Sequence, residues 1–113
     1  MGYTSTTQQS GQHLDVTIAG DIDLAIHAQL QTEADTWAAG DTDVILDCSQ
    51  VTFMDSMGLR VLVQLSRTVT DGGRSFTLAD PSQPVSRVLE LAGVQSMFEH
   101  TVARTGSGVE DSA

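Results

Sequence analysis

Lysine and asparagine are both missing from this chain of 113 residues, and its five basic residues are arginines scattered along the sequence. Against them stand 15 acidic residues, for a formal net charge of −10. Neutralising phosphates takes clustered Lys and Arg, so the composition argues against binding nucleic acid. An anionic lipid surface is disfavoured for the same reason. Aromatic residues make up only 4%, so the core has to be assembled from Val, Leu, Ile and Ala. Cys48 is the only cysteine, which rules out an intrachain disulfide and suits a reducing compartment. Set in an apolar run, it reads as a buried thiol rather than a reactive one. No apolar run approaches the roughly 20 residues that span a bilayer, and no basic segment followed by an apolar stretch suggests a signal peptide. The expectation is an acidic cytoplasmic protein whose partners are proteins or small molecules.

What is present is the composition of an ordinary globular protein, 40% hydrophobic and 18% charged, with length for one domain and one core. Tyr3 to Gln9 is rich in Thr and polar residues and reads as an edge strand. After a turn at Ser10-Gly11-Gln12, residues His13 to Ala19 alternate polar with apolar, placing Leu14, Val16 and Ile18 on one face. This predicts an opening hairpin that ends at Gly20. Asp23 can cap a helix from Leu24 to Ala38, on which Ile26, Leu30, Ala34 and Trp37 form an apolar stripe. Val44 to Cys48 reads as a short strand covered on both faces, followed by a loop from Ser49 to Asp55. A second helix opens at Ser56 and runs to about Val69, with Leu59, Leu62, Leu65 and Val69 opposite Arg60, Gln64, Arg67 and Asp71. Ser75 to Ala79 predicts another strand, and Asp80-Pro81-Ser82 caps a third helix bearing Val85, Val88, Leu89 and Ala92. Gly93 fits the left-handed position after that helix, and Phe98 to Val102 reads as a final short strand. The domain is expected over residues 1–103, with 104–113 as a flexible tail. Helices alternating with strands imply parallel crossovers, hence an α/β fold: a mixed sheet of four to five strands with an N-terminal hairpin, packed against about three helices.

Ser56 is the residue best placed for chemistry. It follows a strand and a short loop and begins a helix, and in open α/β sheets the carboxyl ends of strands are where ligands and partners are met. A phosphate there meets backbone N–H groups and a favourable helix dipole, and adds about −1.5 to −2 charge to a surface already holding Asp55 and, by the same reading, Asp21 and Asp23. The alternative is an ordinary helix cap. A serine hydrolase is a poor fit, because the nucleophile elbow needs Gly two residues before the Ser and Met54 stands there. His13, His27 and His100 have no motif context. No Cys, His or carboxylate set has metal-ligand spacing, and no cofactor is indicated.

The run Val44-Ile45-Leu46-Asp47-Cys48-Ser49-Gln50-Val51-Thr52-Phe53-Met54-Asp55-Ser56-Met57-Gly58-Leu59 resembles the signature of STAS domains, specifically of bacterial anti-sigma-factor antagonists: an apolar strand, Asp, a small gap, then Phe, an apolar residue and Asp-Ser-x-Gly-Leu. Gly20-Asp21-Ile22-Asp23-Leu24 resembles that family's acidic loop before the first helix, and Val85 to Val94 with Phe98 its C-terminal helix. The resemblance covers residues 13–103. It implies that Ser56 is phosphorylated by an anti-sigma factor with serine kinase activity, that the unphosphorylated form binds this kinase and releases the sigma factor, and that a serine phosphatase restores binding. On this reading the protein is not an enzyme but a switch, a monomer or weak dimer. Asp21, Asp23, Asp55, Met57, Gly58, Leu59 and Arg60 then form the partner surface, with Asp23 engaging the kinase and Asp55 and Gly58 shaping the acceptor loop. Met57 departs from the small residue common in the family and Arg60 from its frequent Gly. The same fold also serves as a subunit of stress-signalling scaffolds and of lipid-transport complexes, which is the alternative.

Overall fold

The computed structural model describes residues 2–94 and residue 98. Four strands, β1 (Thr4–Ser10), β2 (His13–Ile22), β3 (Asp43–Met54) and β4 (Phe76–Ala79), lie in that order in one sheet. β1 is antiparallel to β2, whereas β2, β3 and β4 run parallel. Three helices make the crossovers and the closing layer: α1 (His27–Ala39), α2 (Ser56–Asp71) and α3 (Gln83–Ala92). The mixed four-stranded sheet with an opening hairpin is the architecture expected from the alternation of elements.

The buried residues explain why the layers adhere. Val16, Ile18 and Ile22 of β2 meet Val44, Leu46 and Cys48 of β3, with Leu30, Ala34 and Trp37 of α1 and Leu59, Leu62, Leu65 and Val69 of α2. The aliphatic stripes read from periodicity are therefore the packed faces. β3 alternates, with Val44, Leu46 and Cys48 buried but Asp43, Ile45 and Asp47 only half-buried. One face of that strand is fully covered, not both as its apolar run suggested. Burial pushes the Cys48 thiol well above its ordinary range, as does the charge of Asp47, so it stays protonated and inert.

Several boundaries differ from the sequence expectation. β2 does not stop at Gly20 but continues to Ile22, with Gly20 at φ 91°, a backbone that glycine adopts without strain. The stretch Ser49–Met54, read as loop, is the second half of β3. Asp23 caps a separate 3-10 turn, Leu24–Ile26, and α1 itself begins at His27. Ser82 holds the cap position of α3, yet its side chain makes no capping bond and its buried hydroxyl has no partner among the described residues. Ala92 is exposed, so the packed face of α3 is Val85 and Leu89, with Val88 half-buried. Gly93 takes the expected left-handed conformation, φ 69°. Phe98 is buried against Phe76, ring centroids 6.0 Å apart. The rest of the proposed final strand, and the tail 104–113, lie outside the described residues.

Candidate functional site

The parallel pairing of β2 with β3 brings the ends of both strands to one edge of the molecule. Ile22 lies opposite Met54, and the Asp55 N–H donates to the Ile22 carbonyl at 3.2 Å. The acidic segment Asp21–Asp23 and the segment Asp55–Arg60 are thereby neighbours, although some 30 residues apart in sequence.

How β3 reaches this edge decides which side chains it offers. Its 12 residues pair with only 10 of β2, and the register shifts twice, between Thr17 and Ala19 and between Gly20 and Asp21. Each shift inserts one extra residue in β3, the arrangement of a β-bulge. Burial follows: after Cys48 two exposed residues precede Val51, and two more precede Met54. The second pair is Thr52 and Phe53. Phe53 is left 48% exposed, and the Thr52 hydroxyl donates to Asp21 Oδ1 at 2.6 Å.

α2 then starts abruptly. Asp55, in extended conformation, is its N-cap, and Oδ1 accepts the Gly58 N–H at 2.8 Å. The same oxygen lies 3.0 Å from Nε2 of His27, the first residue of α1. Against a carboxylate acceptor, Nε2 has to carry the proton. Partial burial pushes the Asp55 carboxyl up, but the Gly58 N–H, the His27 hydrogen bond and charge, and the Met57 N–H outweigh it and hold the group below the ordinary carboxylate value. Ser56 is therefore not the cap. It is the first residue within the helix, and it is exposed.

The remaining expected site residues divide sharply. Asp23 follows Ile22, whose carbonyl accepts the Asp55 N–H, and its carboxylate accepts the Ala25 N–H at 3.1 Å. Met57 is 47% exposed, and Arg60, one turn on from Ser56, places Nη1 3.9 Å from the Met57 sulfur. Leu59, expected on the partner surface, is 5% exposed and belongs to the core. Gly58 is also buried. A Cβ there would lie 2.6 Å from Ile22 Cγ2 and 3.2 Å from Met54 Cγ, so its missing side chain admits the end of β2 rather than an approaching partner backbone. Met54 is core. Three participants escaped the sequence reading. Leu24, at 78% exposure, and Phe53 join Met57 as exposed apolar groups at this edge; both were visible as residues of the two motifs, but an apolar residue in a strand or helix pattern reads as core. His27 carried no signal, since its partner is 28 positions away.

Residues 4–110 match the STAS domain family. The chain belongs to that family. Among curated relatives, the anti-sigma-B factor antagonist of Bacillus subtilis (strain 168) is 26% identical over 110 residues, covering 97% of this STAS chain and 100% of the relative. Among solved structures, an anti-sigma factor antagonist from Mycobacterium paratuberculosis superposes with a TM-score of 0.80 at 20% identity, over 92% of this chain and 87% of the other. The anti-sigma factor antagonist SpoIIAA in its unphosphorylated form gives 0.73 at 18%, over 90% and 89%. At these identities the structural likeness is one of fold. Among the described residues no helix is long and apolar enough to cross a membrane, and no group of three or more His, Cys, Asp or Glu is placed to hold a metal ion.

Proposed function

We propose that this STAS domain is an anti-sigma-factor antagonist whose unphosphorylated form binds an anti-sigma factor with serine kinase activity and so frees the sigma factor. Phosphorylation of Ser56 abolishes that binding, and a serine phosphatase restores it. The observation that carries the reading is the division of labour at the start of α2. Asp55 does the capping, which leaves Ser56 exposed, inside the first turn and free of the structural duty a serine there usually has.

The surroundings suit a surface that phosphate can veto. Leu24, Phe53 and Met57 offer apolar contact, and Met57 adapts readily to a partner's shape. Asp21, Asp23 and Asp55 already make the edge acidic. A phosphate on Ser56 adds about −1.5 to −2 charge, and the Gly58 amide that could have absorbed it is already bonded to Asp55. That charge has to lose its water against the apolar contact of Leu24, Phe53 and Met57, which is costly without a counter-charge at that point, and it leaves the core untouched.

Incubation with ATP and an anti-sigma factor kinase, followed by mapping of the modified residue, tests the proposal. Phosphate is expected on Ser56. Ser56→Ala is expected to bind the kinase and resist inactivation, and Ser56→Asp to lose binding while keeping its thermal midpoint. Absence of phosphate on Ser56 together with no binding by the unmodified chain would reject the reading.

A further inference from the structure

The Asp55 carboxylate has two calls on one oxygen, and only one of them is local. The Gly58 N–H at 2.8 Å is the ordinary capping bond within α2. His27 Nε2 at 3.0 Å comes from the first turn of α1, across the edge of the sheet. His27 is itself confined, with its side chain 15% exposed, and its backbone N–H closes the 3-10 turn by donating to the Leu24 carbonyl. The chain of contacts therefore runs from the Leu24 turn through the imidazole to Asp55, and from Asp55 into the turn that carries Ser56. The Gly58 and Met57 amides tie the carboxylate only to its own turn; the His27 donor, from another element, ties that turn to α1, and the turn cannot shift without breaking this bond.

We infer that His27 is a positioning residue for the phosphoacceptor, acting through Asp55 to fix the first turn of α2 so that the Ser56 hydroxyl is presented to a kinase in one orientation. The inference rests on the antagonist reading above and deepens it. In the transfer, Ser56 Oγ forms a bond to the γ-phosphorus of ATP, the bond from that phosphorus to the bridging oxygen breaks to release ADP, and the hydroxyl proton passes to a base of the kinase. His27 takes no part in this exchange. It limits how far the acceptor oxygen wanders, and misplacing a reacting group by about 1 Å can cost up to about a hundredfold in rate.

The test compares wild type, His27→Ala and His27→Gln, the last keeping an N–H that can reach Asp55. With an anti-sigma factor kinase and ATP, His27→Ala is expected to lower kcat for Ser56 phosphorylation about tenfold with KM within about twofold, and His27→Gln to recover most of the loss. In the free protein, the Gly58 amide resonance followed against pH reports protonation of Asp55. Its midpoint is expected to rise in His27→Ala and to be partly restored in His27→Gln, which returns the hydrogen bond without the charge. Equal phosphorylation rates for wild type and His27→Ala overturn the inference alone, as does an unmoved Gly58 midpoint. A slow His27→Ala that His27→Gln fails to rescue also overturns it, because packing rather than the donor would then be responsible. A wild type that accepts no phosphate removes the antagonist reading and this inference together.

Discussion

An aspartate between a strand and a helix can leave its carboxylate in water; Asp55 instead spends one oxygen on Gly58 and His27 together. Replacing it with Ala removes a helix cap worth about 1–2 kcal/mol, and a urea titration is expected to show a loss at or above that range because the His27 donor is stranded as well. Since the folded-state carboxyl titrates below its ordinary value of 3.8, the stabilisation is present in full above pH 3.8 and disappears as pH falls through the lower folded value. Stability measured against pH for wild type and Asp55→Asn should accordingly converge in acid and separate above pH 4. Gly58→Ala gains roughly 1 kcal/mol in helix propensity, but its Cβ would stand 2.6 Å from a methyl of the fully buried Ile22. Overpacking of this kind costs about 1–3 kcal/mol, so a lower thermal midpoint is expected. Asp55 and Gly58 were marked by the resemblance, but the capping by Asp55 was not read, and the missing side chain of Gly58 was assigned to a partner although it makes room for Ile22 of β2. His27 was not legible, since nothing local marks a histidine whose acceptor is supplied by another element.

At the scale of elements, the helical stripes were legible and the bulged strand was not. A period of 3.6 persisted through α2, and Leu59, Leu62, Leu65 and Val69 are all buried. β3 broke its period of two at Ser49-Gln50 and again at Thr52-Phe53, and a strand that drops its alternation looks like a loop until its neighbour is known. The bulges are what turn Phe53 outward: the next residue on each side of the exposed pair, Val51 and Met54, is buried. Burial also ranks the helices' contributions. Leu62, fully buried under α2, is expected to cost about 2–5 kcal/mol when cut to Ala. Val88→Ala should cost about 1 kcal/mol, because Val88 is half-buried and already shares its contacts with water. Chemical denaturation of the two variants checks the order.

At the scale of the molecule, the proposed interaction surface lies at one edge of the sheet of a chain that carries a net charge of −10. Asp21, Asp23 and Asp55 gather there because β2 and β3 run parallel and end together, so the acidic field is set by topology rather than by any one residue. A partner that covers this edge has to supply cations around an apolar centre that receives Leu24, Phe53 and Met57. Two expectations about ionic strength follow. Charges at a rim mainly set the rate of encounter, and the Debye length shrinks from about 10 Å at 0.1 M salt to about 3 Å at 1 M. Association of the unmodified domain with its anti-sigma factor kinase, measured by stopped flow, is thus expected to slow as salt rises, with dissociation nearly unchanged because the apolar contacts are indifferent to screening. The Ser56→Asp variant should stay weak from low to high salt, because its carboxylate loses water against the apolar contact of Leu24, Phe53 and Met57, a cost that screening does not repay. If Ser56→Asp instead regains binding as salt rises, the veto is repulsion between charges, and desolvation is not how phosphate at Ser56 clears the surface.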